Sequence, residues 1–187
     1  MKTLSVRSMV AGLGVLLASC ASDSLVTRVE MSAPSGRCAA IEDQILDQVN
    51  DYRRAQGLGG LRRHGGLDAL ARRHAQFMLD NQGKFGLYGS TVTHYGFEER
   101  ELMARRTMNI EALAENVIAG RPGGGNVGAT LVRVWLGSPG HLSNISQKWG
   151  LTGIGVAADG EGCVCATQLF GTRGISQSRW AGPQLQD

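Results

Sequence analysis

Apolar residues recur along this chain in two rhythms, and their order predicts the fold. Ile41, Ile45, Val49 and Tyr52 are spaced by four, four and three residues, one stripe of an amphipathic helix from about 41 to 56 that Gly57 ends. Leu67, Leu70, Ala71, His74, Phe77 and Met78 form a second stripe closing near Gly83, and a histidine on such a stripe reads as part of the core. Residues 97–107 place Glu98, Glu99 and Glu101 ahead of Arg105 and Arg106, the order a helix dipole favours. The pattern then alternates: Leu113, Glu115 and Val117 share one face of a strand and Ala114, Asn116 and Ile118 the other. Residues 129–136 predict a further helix. Ser138-Pro139 supplies an N-cap and a first-position proline for the next, with His141 in its first turn. Strands over 152–158 and 163–170 flank the turn Asp159-Gly160-Glu161-Gly162. Early helices, late strands and a closing hairpin predict an α+β domain, an antiparallel sheet covered by helices.

The amino-terminal residues obey neither rhythm. Lys2 and Arg7 precede an apolar run from Met9 to Ala18, and no acidic residue occurs before Asp23. Ten apolar residues are too few to span a bilayer as a helix and fit the core of an export signal. The run ends in Leu17-Ala18-Ser19-Cys20, which resembles the bacterial lipobox, where the cysteine is acylated and the signal is cut before it. Several acyl chains on one residue anchor stably where a single chain does not. Ala21 rather than an aspartate after that cysteine favours, by the same resemblance, the outer membrane of a diderm host. The chain thus divides into a signal at 1–19, a lipid-anchored tether at 20–40, a globular domain at 41–171 and a tail at 172–187.

Charge adds little once the signal is set aside. The formal charge of +3 shrinks to 17 basic against 16 acidic side chains beyond residue 19, so a nucleic-acid partner is not indicated. Export does change the reading of the remaining cysteines, Cys38, Cys163 and Cys165, because an oxidising compartment favours a disulfide. Cys163 and Cys165 lie two apart on one strand and pair poorly with each other. A bond from Cys38 to Cys163 or Cys165 is expected instead, closing a loop worth about 4–5 kcal/mol in the chain-entropy model. One such pair without a second pair does not make a structural zinc site.

The standard catalytic signatures are missing: no His-Glu-x-x-His, no Gly-x-Ser-x-Gly, no phosphate-binding loop and no dinucleotide fingerprint. Gly123-Gly124-Gly125 reads as a plain loop. His64, flanked by Arg62, Arg63 and glycines, reads as solvated surface, whereas His94 and His141 sit at element boundaries, where side chains are presented to clefts. In order along the chain stand Leu46-x-x-Val49-Asn50-x-Tyr52-Arg53, Leu70-Ala71-x-x-His74-Ala75-x-x-Met78, Thr93-His94-x-Gly96 and Ala114-Glu115-Asn116-Val117-Ile118-Ala119. Trp135-Leu-Gly-Ser138-Pro139-Gly140-His141-x-x-Asn144-Ile145, Gly153-Ile154-Gly155-Val156 and Thr167-Gln168-x-Phe170 follow. Together they resemble the CAP superfamily, or SCP domain, in its bacterial extracellular branch, over about residues 41–171.

That resemblance implies a three-layer α-β-α sandwich and a cleft of two histidines and two glutamates, which in some members binds zinc. Carried over, the histidines fall on His94 and His141 and one glutamate on Glu115, while Ser138 stands where the second glutamate would be. Two imidazoles, one carboxylate and a water are a workable zinc set, with occupancy falling below about pH 6 as the imidazoles protonate. Zinc-bound water could attack an ester or amide. Glu115 could instead orient an imidazole as base for a hydroxyl, Ser138 being nearest in sequence. The trio could also be a hydrogen-bonded cluster tying loop, strand and helix. The expected function is therefore a lipid-anchored binding module of the cell envelope, capturing a lipid, an envelope polymer or a protein. A hydrolase acting on peptide or cell-wall bonds is the alternative. Replacing Cys20 with Ala is expected to move the product from the detergent phase to the aqueous phase in a partitioning experiment; an unchanged, membrane-extracted product argues against acylation.

Overall fold

A computed structural model of the chain describes residues 36–82, 84 and 94–174. The signal, Cys20, the tether before residue 36, Thr93 and the tail beyond 174 lie outside the described residues. The first helix, α1 (Gly36–Ala55), starts five residues earlier than the stripe from Ile41 predicts. Cys38, three residues before Ile41, is buried and extends the same stripe, so 36–40 belong to the helix rather than the tether. There follow β1 (Arg62–Arg63), α2 (Gly65–Asp80), α3 (Phe97–Met108), β2 (Ile110–Gly120), α4 (Val127–Leu136), α5 (Pro139–Ser146), β3 (Leu151–Ala158) and β4 (Val164–Arg173).

The sheet runs β1-β3-β4-β2. Its three long strands are antiparallel, as expected, and β1 adds a two-residue parallel edge through Arg62 and Arg63. That strand is too short to leave an alternation in the sequence. On one face, Ile154, Val156, Val164, Ala166 and Phe170 pack with α1, α4 and α5 around Ile45, Val49 and Trp135. On the other, Leu151 and Leu169 pack with α2 and α3 through Leu67, Leu70, Ala71 and Ala104. The result is the three-layer α-β-α sandwich.

Layering also rules on the disulfide. Cys38 packs with the α1 face, whereas Cys165 packs with Met78 and Val117 on the opposite one. The sheet stands between them, and the expected bond from Cys38 to Cys163 or Cys165 is not formed; both late cysteines are buried thiols outside any disulfide. Burial, with Cys163 adding, pushes the Cys165 thiol up to about 12, so it stays protonated.

Two carboxylates complete the edge of β3 where β1 stops. Asp68 accepts from the Ile154 amide at 2.9 Å and Glu42 from the Val156 amide at 3.3 Å. Arg63 and Arg72 neutralise both acids: Arg63 donates to Asp68 at 3.1 Å and to Glu42 at 2.8 Å, and Arg72 to Glu42 at 2.6 and 2.9 Å. Unpaired, such buried charges would be costly; here each meets guanidinium and backbone donors. At the other end of α1, the buried Arg53 donates to the carbonyls of Gly59, Ile145, Gln147 and Trp149, tying that helix to the residues around α5.

The position of α2 is set by two glycines. A Cβ on Gly153 would lie 2.2 Å from the backbone of Leu67, and one on Gly155 would lie 2.0 Å from the Arg72 nitrogen. No side chain fits at either place, so helix and strand backbones touch. Gly155→Ala is expected to cost about 3 kcal/mol or more in urea denaturation, because the clash is with backbone that cannot rotate away. Gly160→Ala, with nothing within 4 Å, should stay within about 0.5 kcal/mol; equal midpoints for the two variants would refute the close approach.

Candidate functional site

The alternation in β2 places Glu115 beside Leu113 and Val117 on the face covered by α2 and α3, where its side chain is 2% exposed. A carboxylate so deep requires a cation, and Arg100 of α3 supplies it. Arg100 Nε donates to Oε2 at 2.8 Å and Nη2 to Oε1 at 2.8 Å, a bidentate pair. Its Nη1 donates to the Tyr95 carbonyl at 2.9 Å, which fixes the turn entering α3.

That turn presents His94. Gly96 adopts the left-handed conformation at φ 73°, and the Phe97 amide donates to the His94 carbonyl at 3.0 Å. His94 Nδ1 thereby lies 3.0 Å from Glu115 Oε1, while the ring remains 43% exposed. A second imidazole arrives from α2: His74 Nδ1 is 3.0 Å from Thr167 Oγ1 and 3.6 Å from Glu115 Oε2. Burial pushes the His74 pKa down from 6.5 to about 4, with Arg100 and His94 adding to the fall and Glu115 opposing it. His74 is therefore neutral at physiological pH.

His141 approaches from the other layer. Its carbonyl accepts from Asn116 Nδ2 at 3.1 Å, and Asn144 donates to the Glu115 carbonyl and to Asn116 Oδ1, so α5 is stitched to β2 one residue from the carboxylate. Burial, then the nearby His94, lowers the His141 pKa, and its Nδ1 is buried without a hydrogen-bond partner among the described residues. Of the expected trio, His94 and Glu115 are in direct contact. His141 is fixed beside them through its backbone rather than by a ring hydrogen bond to the carboxylate. Ser138 holds the N-cap position but its hydroxyl makes no capping bond, Pro139 fixing the first turn by its own ring. His64, expected on the solvated surface, instead caps α2 by accepting from the Leu67 amide at 3.3 Å.

The donor set does not fit a zinc ion. Both Glu115 oxygens are engaged by a guanidinium, and a divalent cation at ligating distance from them would face that positive charge directly. Among the described residues no group of three His, Cys, Asp or Glu side chains is placed to hold a metal. Nor does His74 form a nucleophilic triad: hydroxyl and carboxylate crowd the same nitrogen, Nδ1, whereas a relay needs them on opposite sides of the ring.

Beside the cluster opens a pocket of about 230 Å³ lined by Leu70, Arg73, His74, Phe77, Tyr95 and Arg100. Phe77 stacks on Tyr95 with ring centroids 5.5 Å apart, and Tyr95 is 65% exposed. His74 lines this wall, and its Nε2 is buried and has no hydrogen-bond partner among the described residues.

Sequence reasoning missed His74 and Arg100. His74 lies on an apolar stripe and is indeed buried, but it is a core residue and a site residue at once. Arg100 carried a signal that could have been used, being the basic residue amid Glu98, Glu99 and Glu101, one helical turn after the His94-x-Gly96 turn and facing an inward glutamate.

The comparisons agree with this fold. The family model for the cysteine-rich secretory protein (CAP) family matches residues 46–170, and the chain belongs to that family. An outer surface protein from Borrelia burgdorferi superposes with a TM-score of 0.57 at 18% identity, over 71% of this chain and 92% of that one. An extracellular protein containing an SCP domain from Bacillus anthracis gives 0.57 at 22% identity, over 76% of this chain and 45% of the other. A cysteine-rich secretory protein from Staphylococcus aureus gives 0.54 at 15%, over 76% and 42%. This chain thus spans less than half of the latter two, and at these identities the likeness is one of fold. No match is found among curated protein sequences.

The buried imidazole predicts a pH dependence. Because the folded His74 value of about 4 lies below the ordinary 6.5, the unfolded chain takes up the proton first. The stability it contributes is complete above about pH 6.5 and is lost as pH falls towards 4, by about 3 kcal/mol. Urea midpoints between pH 7 and 4 should fall less steeply in His74→Gln than in wild type; identical slopes would place the ring in solvent.

Proposed function

We propose that this chain is an extracytoplasmic, lipid-anchored CAP-domain module that captures a ligand of the cell envelope. The observation that carries the reading is an open, mostly apolar pocket set against a polar cluster whose charge is already neutralised. A reaction centre keeps a nucleophile or an open metal position ready for substrate. Here Arg100 takes both oxygens of Glu115, and the His94 and His74 rings lean on the same carboxylate. The cluster is suited to holding the turn before α3 and α2 rigidly around the pocket. The export signal and lipobox support anchoring through Cys20, in the outer membrane where the host is diderm. The ligand classes that suit a tethered module there are a lipid, an envelope polymer or another protein, and the pocket's size and apolar walls favour a small molecule or the end of a larger one. The hydrolase reading and the zinc reading share the residues His94, Glu115 and His141 and are tested with it.

The experiment is native mass spectrometry of the full chain after incubation with an organic extract of its own envelope. The module is expected to retain an adduct that Phe77→Ala, which removes one wall of the pocket, reduces about tenfold or more. Zinc titration should give no binding heat in wild type. Hydrolysis of peptide or cell-wall substrate that disappears in His94→Ala, or zinc binding that disappears in His141→Ala, would replace the proposal by the corresponding alternative.

A further inference from the structure

A fixed aromatic surface faces solvent beside the polar cluster, and it narrows the ligand if the binding reading above holds. Tyr95 is 65% exposed, more than any other large apolar side chain among the described residues. Its backbone is held in place: the carbonyl accepts from Arg100 Nη1 at 2.9 Å, and Gly96 takes the left-handed conformation that turns the chain into α3. Its ring lies on Phe77 with centroids 5.5 Å apart and planes 16° apart, and Phe77 lies in turn on His74 at 6.3 Å and 15°. Three nearly parallel rings thus make a platform whose outermost member is Tyr95. A contiguous apolar floor of Tyr95, Phe77 and Leu70 bordering solvent marks a contact surface.

Size, flatness and charge limit what can cover it. At about 230 Å³ the pocket over this floor is smaller than the roughly 300–1,000 Å³ clefts that enclose drug-sized molecules, which suits one six-membered ring and not the length of an acyl chain. The floor covers one face only, so the outer face of whatever binds stays in water. A hydrocarbon would leave that outer face wet and forfeit half of its burial. The mouth, by contrast, is polar. Arg73, exposed on α2, lines it with N–H donors, while Glu99 Oε2 stands 3.6 Å from where a Cβ on the pocket-lining Gly96 would lie. One guanidinium and one carboxylate cancel, as Arg100 cancels Glu115 behind them. The mouth therefore selects neither an anion nor a cation and offers donors and an acceptor together. Its complement is an uncharged ring with an apolar face and a rim of hydroxyls, which both donate and accept. A pyranose of gluco configuration has that form: its hydroxyls are equatorial, and its axial C–H bonds point from the faces, where they meet the negative face of an aromatic ring.

We infer that Tyr95 and Phe77 form a stacking platform for a pyranose unit of an envelope glycan, the apolar face of the sugar lying on the two rings and its hydroxyls taken by Arg73 and Glu99. His74 backs the stack and makes no contact with the sugar. Stacking on one face binds a single sugar weakly, with a dissociation constant on the order of millimolar, which suits a tethered module that meets a polymer of many units.

The test is saturation-transfer NMR on the full chain with methyl β-glucoside, chitotriose and, as the ring-opened control, sorbitol. Both glycosides are expected to take up saturation, most strongly at the axial protons of one face, and sorbitol, which has the hydroxyls without the face, is expected to take up none. Tyr95→Ala, at an exposed position where folding is not at stake, should weaken the glycosides about tenfold, while Tyr95→Phe, which keeps the ring, should not. Arg73→Ala and Glu99→Gln should each weaken them about threefold or more without changing which protons are saturated. Glycoside binding that survives Tyr95→Ala, or equal binding of sorbitol, would overturn the platform. Saturation of the acyl chains of phosphatidylcholine micelles, or of a proline-rich peptide, with none in the glycosides, would make it a lipid or a peptide surface instead. If the glycosides fail while the envelope-extract adduct persists, the sugar assignment falls and the binding module stands; loss of both removes both.

Discussion

Everything on the α2 side of the sheet depends on two backbones in contact. With Gly153 and Gly155 stripped of side chains, α2 lies directly on β3, and that closeness sets how far its side chains reach across the sheet. From there His74 meets Thr167 on β4 and approaches Glu115 on β2. A helix held farther off by even one methyl layer would leave the imidazole short of both. The same approach aligns Asp68 and Arg72 with the open edge of β3, where acids and guanidiniums take the place of a missing strand.

Three buried acids are thus handled by one device in two settings. Glu42 and Asp68 accept from backbone amides as well as arginines, so their charges are spent on closing the sheet. Among the described residues no backbone amide donates to Glu115, whose partners are the side chains of Arg100, His94 and His74. Breaking either set would strand a charge in low dielectric, which costs several kcal/mol. The difference is that the second set borders a pocket, so its geometry is available to a ligand as well as to the fold.

A neutralised carboxylate also explains why a fold with two histidines and a glutamate in one region does not by itself imply hydrolysis. A metal ion at Glu115 would meet the guanidinium of Arg100, which already pairs with both carboxylate oxygens. Among the described residues His74 Nε2 and His141 Nδ1 are buried without a hydrogen-bond partner, and His74 also lines the apolar pocket.

Much of the fold was legible in the chain. Stripes at helical spacing and one alternating segment located the long elements, since periodicity in sequence is burial seen edge on. His94 and Glu115 were legible too, one beside a glycine that permits a left-handed turn, the other facing inward on a strand. The residues that escaped did so for physical reasons. β1 is two residues long and has no period; Cys38 reads as a thiol before it reads as part of a stripe; Arg100 and His74 acquire roles only from what lies opposite them. The disulfide failed because sequence carries no information on which side of a sheet each cysteine packs. The order of amino acids by itself determined the export signature, the helices and strands and the inward direction of Glu115, all local consequences of spacing and side-chain chemistry. Only the packing of α2 and α3 over the sheet decided that Arg100 neutralises that glutamate and that His74 lies against it beside a pocket, because both depend on distances between residues remote in the chain.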